Sequence, residues 1–153
     1  DRVNHHKENK KNNRKEIEKA IKLANRYPDI VKVIAVGNEA MVRWAAQYFV
    51  YPKTVLKWVN HLQKLKTNGK LPSELWITSS DNYESWGGGN SHYHTDDLMQ
   101  LIKAVDFVSL HTYPFHDSYY NPEYWGVLAH EEHLSKPAQI EAAMLRAKDY
   151  AIK

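Results

Sequence analysis

The sequence predicts an α/β fold with parallel strands, on three observations. Short β-branched runs alternate along the chain with longer amphipathic segments. The alternation reads helix, strand, helix, strand, helix, strand, helix, which implies parallel strands joined by right-handed crossovers. Each of the three strand runs ends in polar and aromatic residues, the place where ligands gather in such sheets.

The elements follow in order. NNRKEIEKAIKLANRYPDI sets Ile17, Ala20, Ile21 and Ala24 at helical spacing with charge on the other face. Asn12 or Asn13 is the expected cap, and Tyr27-Pro28 the expected stop. IVKVIAVG is short and β-branched, a buried strand. YPKTVLKWVNHLQKLKTNG places Pro52 near a helix start, Val55, Leu56, Val59, Leu62 and Leu65 on one face, and Asn68-Gly69 at the end. ELWITSS is a second strand and opens into the polar loop DNYESWGGGNSHYHTDD. Thr95 or Asp96 then caps a short helix, DLMQLIKAV. VDFVSLHTY is a third strand, followed by the aromatic loop PFHDSYYNPEYWGV and a last helix, SKPAQIEAAMLRAKDYAIK, with Ser135 as its cap.

A chain of 153 residues fits one domain with a real core, and no second domain is expected. Hydrophobic residues at 42% and charged residues at 25% argue against disorder. No run approaches ~18 apolar residues, so no membrane span is expected. The opening DRVNHHKENKKNNRKE has no apolar stretch and does not read as a signal peptide. With no cysteine there is neither disulfide nor thiolate chemistry. The net charge of +3 is local: residues 1–22 carry eight Lys/Arg against four Asp/Glu. One basic helix face is not a nucleic-acid groove, and no nucleic-acid partner is expected. Five Trp and ten Tyr, several in polar loops, suit a ligand with apolar ring faces and hydroxyl edges, as sugars have.

The stretch VKVIAVGNEAMV presents Asn38 and Glu39 where a hydrophobic strand ends at a glycine. This is either an ordinary polar turn or a sugar-cleaving acid held over a pocket. Glycosidases generally use two carboxyl groups, one donating a proton to the leaving oxygen, the other attacking the anomeric carbon or activating water. A donor carboxyl needs apolar walls, because desolvation favours its protonated form.

RYPDIVKVIAVGNEAMVRW, followed by ITSSDNYESW and VDFVSLHTYPF, resembles glycoside hydrolase family 17, the β-1,3-glucanase family within the large barrel clan of retaining glycosidases. The resemblance covers nearly the whole chain. It implies a partial (β/α)8 TIM barrel, about strands four to six with their helices, as the central part of one barrel domain. It also implies a retaining hydrolase of laminarin-like β-1,3-glucan that needs no cofactor or metal. By the same resemblance Glu39 is the general acid/base and Asn38 the partner of the sugar 2-hydroxyl. Tyr113 takes the sixth-strand position where a tyrosine supports the nucleophile. Asp81 and Trp86 fall where the family lines its sugar cleft, and His111 joins that wall. Trp125 is added on chemistry alone, as a stacking platform.

The chain departs from the family in one respect. The family's nucleophile is a second glutamate in a Glu-Thr/Ser-Gly-Trp context, and no such motif occurs in these residues. A closed barrel takes about 250 residues, so the chain reads as the middle of a longer enzyme, inactive by itself. The alternatives are a β-glucan transglycosylase of the same family and a catalytically inert glucan-binding fragment. A secreted, periplasmic or cell-surface location follows from the polymeric substrate only.

Three other motifs invite chemistry. HEEH, residues 130–133, lacks the one-turn histidine spacing of a zinc helix. His92 and His94 share a side in extended chain, but ordinary loop histidines explain them. The GGG run has neither a P-loop lysine nor dinucleotide spacing, and its glycines let the loop fold close over a cleft. Asp117, Glu123, Glu131 and Glu132 remain as carboxylates in or after the third-strand loop.

Overall fold

A computed structural model of the chain describes residues 2–44, 46–88 and 91–111, together with Leu145. Its elements run α1 (Arg2–Arg26), β1 (Val33–Asn38), α2 (Pro52–Thr67), β2 (Trp76–Asn82), α3 (Asp96–Ala104) and β3 (Ser109–His111). The three strands form one sheet in the order β1-β2-β3, and both pairings are parallel. The α/β alternation with parallel strands is therefore present. The last loop and the C-terminal helix, with Tyr113, Trp125, the HEEH motif and the Ser135 cap, lie outside the described residues apart from Leu145.

Helix boundaries show which signals prevail. α1 begins at Arg2, so Asn12 and Asn13 lie inside it and cap nothing. The segment before them is polar but holds no proline or glycine, and nothing in it opposes helix. Its end at Arg26 is set by Pro28 as expected. Pro28 also delays β1: the Ile30 and Val31 amides both donate to the Tyr27 carbonyl, at 3.0 and 2.8 Å, so the strand starts only at Val33. α2 starts at Pro52 and ends at Thr67, with Asn68 as its C-cap and Gly69 at φ +67. The Thr95 hydroxyl accepts from the Leu98 amide at 3.2 Å, capping α3.

Between β2 and α3 the polar segment is not plain loop. It forms a π-helical turn over Glu84–Gly88 and a 3-10 turn over Ser91–Tyr93. Gly87 sits at φ +89, a conformation that favours glycine. A Cβ at Gly88 would lie 2.3 Å from the Tyr83 ring, so this turn closes directly onto an aromatic face.

The core lies between the sheet and its helices. α2 supplies Val55, Leu56, Val59 and Leu62, α3 supplies Leu98, Leu101 and Ile102, and α1 contributes Ala24. Ile34, Val36 and Ile77 meet them from the strands. Burying each large aliphatic side chain contributes about 1.5–3 kcal/mol. The opposite face of β1 is open, with Val33 and Ala35 exposed.

Where β2 starts, Asp106 binds both backbone groups of Ile77, its amide donating to the Ile77 carbonyl at 2.8 Å. Its carboxylate accepts from the Ile77 amide (2.7 Å), the Lys66 ammonium (2.7 Å) and Gln63 (3.1 Å). Burial pushes this carboxyl up, but Lys66, the Ile77 amide and Gln63 together hold it below its ordinary value. A depressed folded pKa contributes stability that is present above the unfolded carboxyl value of about 4 and is lost as pH falls through the folded one. Asp106→Asn is expected to cost about 1 kcal/mol at neutral pH, the pair being partly solvated. Denaturant unfolding of both proteins at pH 7 and pH 3 checks this. The gap should shrink at pH 3, and a gap unchanged by acid would remove the charge from the explanation.

Candidate active site

The parallel register brings the ends of all three strands to one edge. β1 and β2 pair as Ile34 with Ile77 and Ala35 with Thr78, and then as Asn38 with Ser80. One extra residue is thus accommodated on β1, and Gly37 at φ +90 lies inside this bulge. Bulges re-aim the side chains that follow. A Cβ on Gly37 would approach the Ala40 Cβ to 3.1 Å, so glycine also suits the tight return of the chain.

Immediately after the bulge Glu39 has φ +46, and it is the one non-glycine with positive φ among the described residues. Left-handed backbone at such a residue costs on the order of 1–3 kcal/mol and persists only where its surroundings impose it. Here they do so group by group. The Glu39 amide donates to the Ser80 carbonyl (2.8 Å), and the Ala40 carbonyl accepts from Val50 (2.7 Å). The Met41 amide donates to Asp81 Oδ2 (2.8 Å), and the Met41 carbonyl accepts from the Ser85 hydroxyl (3.0 Å). The Arg43 amide donates to the Tyr93 hydroxyl (3.2 Å), while the Arg43 guanidinium lies over the Tyr93 ring at 5.0 Å.

The Glu39 side chain meets His111 from the far strand: Nδ1 and Oε1 are 3.2 Å apart. Neighbouring strands lie about 4.8 Å apart, so two outer strands bring these residues together over the end of β2. Each side chain remains about a quarter exposed, 25% for Glu39 and 26% for His111. The bond survives either placement of the proton, as carboxyl O–H to Nδ1 or as Nδ1–H to carboxylate. Asn38 lies at the exposed end of β1 opposite Ser80.

Asp81 and Trp86 sit beneath this edge, and neither presents a surface to a ligand. Both are 0% exposed. Strand alternation places Asp81 on the same face as Ile77 and Ser79, the face toward the helices. Its carboxylate is occupied by the Met41 and Asn82 amides, at 2.8 and 3.0 Å. Burial pushes the Asp81 carboxyl up, against the lowering effect of those amides and of Ser85. The Trp86 ring belongs to the core, and its indole N–H donates to the Ser109 carbonyl at 3.0 Å, tying the turn after β2 to β3. Glu84, on that same turn, is also pushed up by burial. Ser85 and Tyr93, which hold the Glu39 turn, escape a reading by sequence because a hydroxyl that bonds backbone has no spacing signature.

His94 bonds the Gly87 carbonyl through Nε2 at 2.9 Å, and the His92 carbonyl accepts from the Arg43 guanidinium at 3.0 Å. Among the described residues no group of three or more His, Asp or Glu is placed to hold a metal ion. Among the same residues no helix is long and apolar enough to cross a membrane.

The parallel α/β edge thus holds a strained glutamate against a histidine at one end of the sheet. The chain is similar to the crystal structure of an endo-laminarinase from Formosa Hel1_33_131, with 62% identity, a TM-score of 0.68, and 90% of this chain covered. The matched part is 35% of the laminarinase, so the chain spans about a third of that protein's length. No protein-family model matches the chain, and no curated protein does.

Proposed function

We propose that the chain is the central part of a retaining β-1,3-glucan hydrolase with a (β/α)8 barrel, and that Glu39 is its general acid/base. The observation that carries this reading is the 62% identity to an endo-laminarinase across 90% of the chain. The parallel sheet and the open face of β1 suit a barrel wall, and the Glu39 turn suits a proton donor at the rim.

In the first step a carboxylate from outside these residues attacks the anomeric carbon. The glycosidic bond breaks, its electron pair goes to the leaving oxygen, and the Glu39 carboxyl delivers its proton there. In the second step Glu39 takes a proton from water, whose oxygen displaces the enzyme carboxylate and restores it. His111 orients the Glu39 carboxyl through the Nδ1 to Oε1 contact, and Asn38 bonds the sugar 2-hydroxyl. Asp81 and Trp86 support the site from below.

The test is digestion of laminarin by the complete natural protein, followed by proton NMR of the first products. The expected result is shorter oligosaccharides released first as the β-anomer. Products longer than the substrate would mean transfer to a sugar acceptor in place of hydrolysis. Binding of laminarin without cleavage would mean an inert glucan-binding protein.

A further inference from the structure

We propose that Asp81 is a positioning residue for the Glu39 carboxyl, its enclosed carboxylate clamping the Met41 and Asn82 amides so that the left-handed turn and the end of β2 are held as one piece. This rests on the acid/base reading of Glu39.

Three observations lead to it. First, the turn that aims Glu39 is unfavourable on its own, at φ +46, so something must hold it. Second, the bond nearest after the strained residue that comes from a side chain is Met41 N–H to Asp81 Oδ2, at 2.8 Å. The other Asp81 oxygen accepts from the Asn82 amide at 3.0 Å. Two backbone donors converge on one side chain, and a carboxylate is the group that offers an acceptor to each. An asparagine here would turn an NH2 toward one of those N–H groups.

Third, the site is fully enclosed, at 0% exposure, so no sugar oxygen reaches it. Burying a carboxyl is costly unless its bonds are satisfied. This one is satisfied by the two strand ends that carry the proposed chemistry: Met41 lies two residues after Glu39, and Asn82 pairs with His111. The clamp thus reaches both partners of the Glu39–His111 contact. Ser85 completes it by donating to the Met41 carbonyl at 3.0 Å.

Asp81→Asn, Ser85→Ala and Glu39→Gln in the complete natural protein test this with two substrates. Laminarin needs a proton on its leaving oxygen. A 2,4-dinitrophenyl β-laminaribioside does not, and its burst of dinitrophenolate reports the first step alone. Asp81→Asn is expected to lower kcat on laminarin about 10- to 100-fold, the scale set by a carboxyl misplaced by about 1 Å. KM should stay within about 2-fold and the dinitrophenyl burst within about 3-fold, because the binding surface and the nucleophile are untouched.

A raised KM with kcat kept would make Asp81 a sugar contact and overturn the proposal. An equal fall on both substrates would overturn it in favour of a general folding role. Should Asp81→Asn fail to fold, Ser85→Ala carries the test: a laminarin-selective loss of about 3- to 10-fold supports the clamp, and unchanged or unselective activity overturns it. Glu39→Gln separates the two levels. If Glu39→Gln keeps full laminarin activity, the acid/base reading fails and the clamp fails with it. If Glu39→Gln loses that activity while Asp81→Asn keeps it, only the clamp fails.

Discussion

Glu39→Gln in the complete protein is expected to lower kcat on laminarin by about 10²- to 10⁴-fold, the usual contribution of a positioned general acid/base. The replacement keeps shape and one acceptor oxygen, so the contact from His111, now 3.2 Å from Oε1, can persist as a neutral hydrogen bond. The loss should therefore arise from the missing proton and not from a collapsed turn. Two further readings make the expectation specific. The dinitrophenyl burst should survive, because its leaving group departs unprotonated. Azide should then restore turnover by attacking the glycosyl-enzyme without base assistance. Loss of the burst together with laminarin hydrolysis would point to disruption of the site at large.

The largest expected effect on stability belongs to Trp86. It is the bulkiest fully buried side chain among the described residues, and its indole N–H is bonded to the Ser109 carbonyl at 3.0 Å. Trp86→Ala is expected to cost about 3–5 kcal/mol, from lost burial and the cavity left beneath the strand ends. Trp86→Phe keeps most of the ring but strands a carbonyl, and should cost about 1–3 kcal/mol. Denaturant midpoints of the three proteins measure both. If Trp86→Phe keeps its midpoint and instead raises KM for laminarin, Trp86 faces the sugar and the packing described above is wrong.

How much was legible in the sequence varied by element for physical reasons. α2 is readable at both ends because Pro52 and Asn68-Gly69 act locally, through a fixed φ at one end and a left-handed glycine at the other. Thr95 is readable as a cap for the same reason. The start of α1 is not readable in this way, since the asparagine signal at positions 12 and 13 competes with a polar stretch that nothing stops from being helical. β1 and β3 start later than their apolar runs suggest: the Tyr27 carbonyl takes the Ile30 and Val31 amides before β1, and the Leu101 carbonyl at the end of α3 takes the Val105 amide before β3.

At the candidate site, the sequence by itself determined the alternation of elements, hence parallel strands with their ends at one edge, and it singled out Glu39, Asn38 and His111 there. The alternation and the strand ends are consequences of period and order along the chain, while the choice of those three residues came from the family resemblance. Only the tertiary structure decided that His111 reaches Glu39 across β2, that a bulge at Gly37 turns Glu39 left-handed, and that Asp81 and Trp86 lie below the edge. Part of that was within reach, since counting by twos from Ile77 puts Asp81 on the helix side of β2. The rest was not. Hydrogen bonds between residues forty positions apart, such as Met41 to Asp81, depend on strand register, and register is set by how both faces of the sheet pack rather than by any local run of residues.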